Sequence, residues 1–171
     1  MSYLVLRVHA VRHPKSDRMG STTGMLIRLF QRTEYEHVFP ELVFQNGLRI
    51  GWNILGWFKR WKRIDPERAL TYYEEIRTWE IYLNWEDAEK LRVYWDGLID
   101  RSYGVGRMLL MPLWELTGWR WIARLAGVTC SGSIAMGLQQ IGLWDESDAG
   151  MSDLVTLERQ LTSPLAQRNE S

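Results

Sequence analysis

Apolar and polar residues alternate with a period of two from Leu4 to Val11, which predicts a half-buried strand. A turn-rich loop follows from Pro14 to Gly24, then a short strand or helical turn at Met25 to Gln31. The run Tyr35 to Phe44 reads as a second strand, and Asn46-Gly47 behind it is the strongest hairpin signal in the chain. After Gly51 comes a long tryptophan-rich stretch, and alternation returns from Ile76 to Leu83. Asn84 then caps a helix that carries Trp85, Ala88, Leu91, Tyr94, Trp95 and Leu98 at helical spacing, with Glu86 and Asp87 in its first turn. A further helix is predicted from Cys130 to about Ile141, stopping at Gly142. Past Asp145 the composition turns polar, and residues 146–171 are expected to be extended or partly frayed. Strands and helices in this order predict an α+β fold, an antiparallel sheet packed against helices.

Composition narrows the class without naming a function. The chain has 171 residues, 46% of them hydrophobic and 25% charged, which fits one domain with a sizeable core. Lysine plus arginine number 21 and aspartate plus glutamate 21, so no global field recruits nucleic acid or a membrane surface. No run is long and apolar enough for a bilayer span, and the first residues lack the apolar core and small-residue cleavage site of a signal peptide. A protein made and kept in the cytosol is therefore expected, with incorporation into a larger particle such as a virion as a later fate.

The candidate chemistry lies at two distant positions. Cys130 is the single cysteine, and it opens the small-residue run Cys130-Ser131-Gly132-Ser133 at the start of a predicted helix. A thiol there sees unpaired backbone N–H groups and the positive end of the helix dipole, both of which favour thiolate. His37, on the second strand, is a base that such a thiol could use. The plainer account is a buried structural cysteine and an unrelated strand histidine. A third, orienting residue would be Asn53 or Glu41; Glu41 lies four residues after His37 and hence on the same strand face.

Four short motifs in one order resemble the circularly permuted papain-like hydrolases, relatives of the NlpC-type cell-wall peptidases and of the lecithin:retinol acyltransferases. They are the Met25–Phe30 entry with Thr33-Glu34-Tyr35-Glu36-His37-Val38, Asp100-Arg101-Ser102-Tyr103-Gly104-Val105, Thr129-Cys130-Ser131, and Thr162-Ser163-Pro164-Leu165. Permuted members carry the histidine strand before the cysteine helix, as here. The chain departs from the pattern at Gly132, where the family has glutamate after Cys-Ser, and at Gly104, where an aspartate is absent. The resemblance implies a permuted papain-like (NlpC-like) fold and acyl transfer. Cys130 would attack an amide or ester carbonyl and His37 would shuttle the proton. The backbone of Cys130 and Ser131 would hold the oxyanion. It implies a peptidoglycan peptide or related acyl-amide as substrate. The rival class is a non-catalytic structural or interaction protein, for example a bacteriophage virion component, that keeps the fold without the chemistry.

Ten tryptophans are many for this length. Trp79, Trp85 and Trp95 fall on predicted core faces. Trp57, Trp61 and Trp119, with Tyr103, lie in less regular segments and suit a substrate groove or a protein interface, where tryptophan and arginine are enriched. The basic run Lys59-Arg60-Trp61-Lys62-Arg63 is followed closely by acidic residues and reads as a solvated mixed face. His9 and His13 are four apart on a segment read as strand and turn, which does not align two metal ligands, and no phosphate loop or paired-cysteine motif occurs. No metal and no cofactor are expected.

Overall fold

The computed structural model describes residues 4–13, 33–55, 60–102, 110, 117, 128–144, 149 and 152–162. Among them the chain forms five strands and four helices in the order β1 (Leu4–Arg12), β2 (His37–Val43), β3 (Arg49–Leu55), β4 (Arg60–Ile64), α1 (Pro66–Tyr72), β5 (Glu74–Leu83), α2 (Trp85–Asp96), α3 (Cys130–Gln140) and α4 (Leu154–Leu161). The strands make one antiparallel sheet, β4-β3-β2-β1-β5. The α+β class and the antiparallel sheet expected from the sequence are therefore present. The Met25–Gln31 element, Trp57, Tyr103 and Trp119 lie outside the described residues.

Strand periodicity decides the two faces. Leu4, Leu6, Val8 and Ala10 of β1, Val38 and Leu42 of β2, Trp52 of β3, Trp61 of β4 and Trp79, Ile81 and Leu83 of β5 enter one core. Helices α2, α3 and α4 cover that face with Leu91, Trp95, Ile134, Leu138, Leu154 and Leu157. The alternate positions, His9 of β1, His37, Phe39 and Glu41 of β2, and Arg49 and Asn53 of β3, share the second face. Phe39 and Val11 are as buried as the core residues yet stand outside the core cluster, as this second face requires. Helix α1 crosses it: Pro66 sits so close over Gly51 that a Cβ there would lie 2.9 Å from the proline ring.

Four local readings change in three dimensions. Trp61 is 1% exposed, because the alternation of β4 turns it inward while Arg60 and Lys62 on either side of it stay in solvent; it is core, not a groove or interface residue. Trp85 is 65% exposed, about a quarter turn off the Ala88–Leu91–Trp95 stripe, and it packs on Phe44 at 6.3 Å between ring centroids. The segment past Asp145 contains α4, which Asp153 caps by accepting from the Thr156 N–H at 2.6 Å; Leu154, Leu157 and Leu161 are buried. Its i, i+3, i+7 leucines were a readable signal, hidden by the polar composition around them. Helix α1 was missed as well, although Asp65 before Pro66 is a regular cap-and-proline start.

Helix α3 packs close to α2 because Gly137 has no side chain. A Cβ at that position would meet Trp95 Cζ2 at 3.1 Å and Leu91 Cδ2 at 3.3 Å. Gly137→Val will therefore force the two helices apart and cost about 1–3 kcal/mol in urea unfolding. An unchanged unfolding midpoint would show that the helices separate without penalty.

Candidate active site

The cysteine helix is built by its own cap. Thr129 is the N-cap, its Oγ1 accepting from the Gly132 N–H at 3.1 Å and its carbonyl from the Ser133 N–H at 2.9 Å. Cys130 is the first helical residue and is buried, 5% exposed. The Ser133 hydroxyl donates to the Cys130 carbonyl at 2.8 Å, and the Ser131 hydroxyl donates to the Ser152 carbonyl at 2.6 Å. That second bond ties the start of α3 to the lead-in of α4. Two residues on, the Leu154 carbonyl accepts from the Tyr35 hydroxyl at 3.1 Å. Tyr35 enters β2 just ahead of His37. The Cys130 end of α3 is thus anchored to the His37 end of β2.

His37 is half-buried at the first position of β2. Its Nε2 donates to Asn53 Oδ1 at 2.5 Å, and Asn53 is fully buried in β3. An amide oxygen only accepts, so in the neutral ring this bond puts the proton on Nε2 and leaves the Nδ1 lone pair as the basic site. Of the two sequence candidates for an orienting residue, the structure brings Asn53 to His37. The Tyr73 ring lies against His37 at 6.1 Å between centroids.

Glu41 belongs to a different cluster. Its Oε2 accepts from His9 Nε2 at 2.7 Å and from Arg49 Nη2 at 3.1 Å, and its Oε1 accepts from Arg49 Nε. Arg49 continues to Glu67 at 2.8 Å. His9 is buried, stacked on Phe39 at 4.8 Å, and its Nδ1 meets Glu75 Oε1 at 2.5 Å. Burial pushes the Glu41 carboxyl up, but the hydrogen bonds from His9 and Arg49 outweigh it and hold the group at about 2. Glu75 reaches this cluster through a bulge: β1 and β5 pair Ala10 with Arg77 but Val11 with Glu75. The skipped Ile76 turns toward the core, and Glu75 joins the face of Thr78 and His9. The sequence held no marker for this cluster beyond a histidine and a glutamate on neighbouring strands.

The alternation of β2 also sets a constraint. Val38 and Leu42 face α3, and His37 is on the other phase of the strand with Phe39 and Glu41. Any approach of the imidazole to Cys130 is made around the end of the sheet, where His37 is the first strand residue. Trp61 is remote from such a role, buried in the core. Among the described residues no group of His, Cys, Asp and Glu side chains is placed to hold a metal ion, and no helix is long and apolar enough to cross a membrane. Comparison with protein-family models, with curated proteins and with solved structures finds no match to this chain.

Proposed function

We propose that this chain is a cysteine-dependent acyl-transfer enzyme of the permuted papain-like (NlpC-like) type, acting on an amide or ester bond such as that of a peptidoglycan peptide. The observation that carries the proposal is the Nε2–H bond from His37 to the buried oxygen of Asn53. It selects the tautomer whose Nδ1 can take a proton from a thiol, the arrangement a thiol–imidazole–amide triad needs. In this mechanism Nδ1 removes the Cys130 proton and Sγ adds to the carbonyl carbon. The resulting oxyanion accepts from the N–H groups of Cys130 and Ser131 in the first turn of α3. Collapse of that intermediate expels the amine or alcohol, which takes the proton from His37. Water, or an acyl acceptor, then repeats the sequence in reverse and frees the thiol. Glu41 takes no step in this scheme, since His9 and Arg49 occupy its oxygens.

A second reading, a non-catalytic interaction protein, is favoured by the phase of β2, which turns His37 away from the face that α3 covers. Exposed Trp85 and Val93, at 65% and 57%, would then be contact residues. Iodoacetamide alkylation of Cys130 across a pH series separates the two. Under the enzyme reading the wild-type thiol reacts at neutral pH, and His37→Ala slows it by roughly tenfold or more. Identical profiles for wild type and His37→Ala would sink the enzyme reading.

A further inference from the structure

The groups around His37 form a closed circuit that the proposed chemistry does not use. Tyr73 is the C-cap of α1, with its N–H donating to the Ala69 carbonyl at 3.1 Å, so helix geometry fixes its backbone. Its ring rests on His37 at 6.1 Å and 42°, and edge-on against His13 at 5.1 Å and 78°. Tyr72 packs edge-on against it at 5.0 Å and 85°. His13 is pinned by Glu36, whose Oε1 accepts from the His13 backbone N–H at 2.6 Å and lies 2.5 Å from its Nδ1. Glu36 is bonded directly to His37 in the chain, and its side chain is 1% exposed. The contacts therefore run from His37 to Tyr73, to His13, to Glu36 and back to His37.

We infer that Tyr73 is a positioning residue for His37, a wedge between the imidazole and the His13–Glu36 pair that holds the ring in the plane where Nε2 meets Asn53. The inference rests on the reading of His37 as the base. A ring on a strand's first residue has two torsions to restrain. The Asn53 bond fixes one atom of the imidazole, and a second contact on the ring face is what removes rotation about the axis through that atom. Tyr73 supplies it from an element outside the sheet, and the His13–Glu36 pair keeps Tyr73 from retreating. The inference rests on the ring contact with His37, which phenylalanine at position 73 would keep.

The test is nitrogen-15 NMR of the three histidines together with Cys130 alkylation, in wild type, Tyr73→Leu, Tyr73→Phe and His37→Ala, with folding checked by the amide spectrum. Tyr73→Leu is expected to move the His37 ring away from the pure Nε2–H tautomer and to slow alkylation at neutral pH by about ten- to a hundredfold, the scale of losing alignment by around an ångström. Tyr73→Phe is expected to restore both. Unchanged His37 nitrogen shifts in a folded Tyr73→Leu protein would overturn the inference, as would a Tyr73→Phe protein as impaired as Tyr73→Leu. If His37→Ala leaves alkylation unchanged, the enzyme reading fails, and the nitrogen shifts of Tyr73→Leu still decide whether Tyr73 orients His37.

Discussion

Glu41→Ala will lower the stability of this protein by about 3–5 kcal/mol, because it removes one partner of a buried charged cluster and leaves the others desolvated without it. Glu41 is fully buried, and His9, which it joins, is 2% exposed. Arg49 would lose its bidentate partner and keep Glu67 at the exposed end. For a chain of this size the expected fall in melting temperature is on the order of 10 °C. Glu41→Gln keeps the volume and removes the charge, and it should recover only a fraction of the loss, because its amide group presents donors to donors. The same cluster predicts an acid limb. The Glu41 carboxyl is lowered from 4.5 to about 2. A depressed carboxylate stabilises the fold fully above its unfolded value, and that contribution drains as pH falls through the folded one. Wild type will therefore lose stability between pH 4.5 and about 2. Glu75 and Asp96, both lowered as well, act in the same direction. Chemical unfolding at a series of pH values reads this directly. In Glu41→Ala the slope should flatten, and superimposable acid limbs for the two proteins would show that Glu41 is not the ionised partner of this cluster.

If the chain is the acyl-transfer enzyme proposed above, Cys130→Ser will lower turnover of an acyl-amide or cell-wall peptide by roughly three orders of magnitude or more. Hydroxyl for thiol replaces one atom at the first position of a capped helix, so stability should move by only roughly 1 kcal/mol. The assay pairs hydrolysis of peptidoglycan fragments and simple acyl amides with a melting curve for each protein. Retained turnover in Cys130→Ser would exclude a thiol nucleophile. Trp85→Ala is the companion variant, since its ring is exposed and removing it should leave the fold standing. Loss of partner binding on Trp85→Ala, with turnover absent from wild type itself, would move the conclusion to the interaction reading.

The sequence by itself determined the elements whose signals are local. Alternation marked β1 and most of β5; Asn46-Gly47 marked the β2–β3 turn, where Gly47 takes a φ of 81°; Asn84 marked the start of α2 and Thr129-Cys130 that of α3. Each depends on a residue and its near neighbours, through hydrogen bonds and periodicity that operate within a few positions. Element type was less readable where one large residue type dominated. The tryptophan-rich stretch concealed β4, because Trp52, Trp57 and Trp61 look alike in composition and only strand phase separates buried Trp61 from its solvated neighbours. Trp85 reversed for a similar reason, a position at the edge of the helical stripe being decided by what stands beside it.

Only the tertiary structure decided who meets whom. Asn53 and Glu41 were equal candidates for orienting His37, and both lie on its face. The packing of His9 and Arg49 against Glu41, with a bulge that delivers Glu75, commits that carboxylate elsewhere, and Asn53 is left within 2.5 Å of the imidazole. Tyr73 reaches His37 from a helix cap 36 residues further along, a contact that no spacing rule anticipates. Sequence separation says nothing about such pairs, because strand register, helix docking and the close approach allowed by Gly137 are set by the whole core at once.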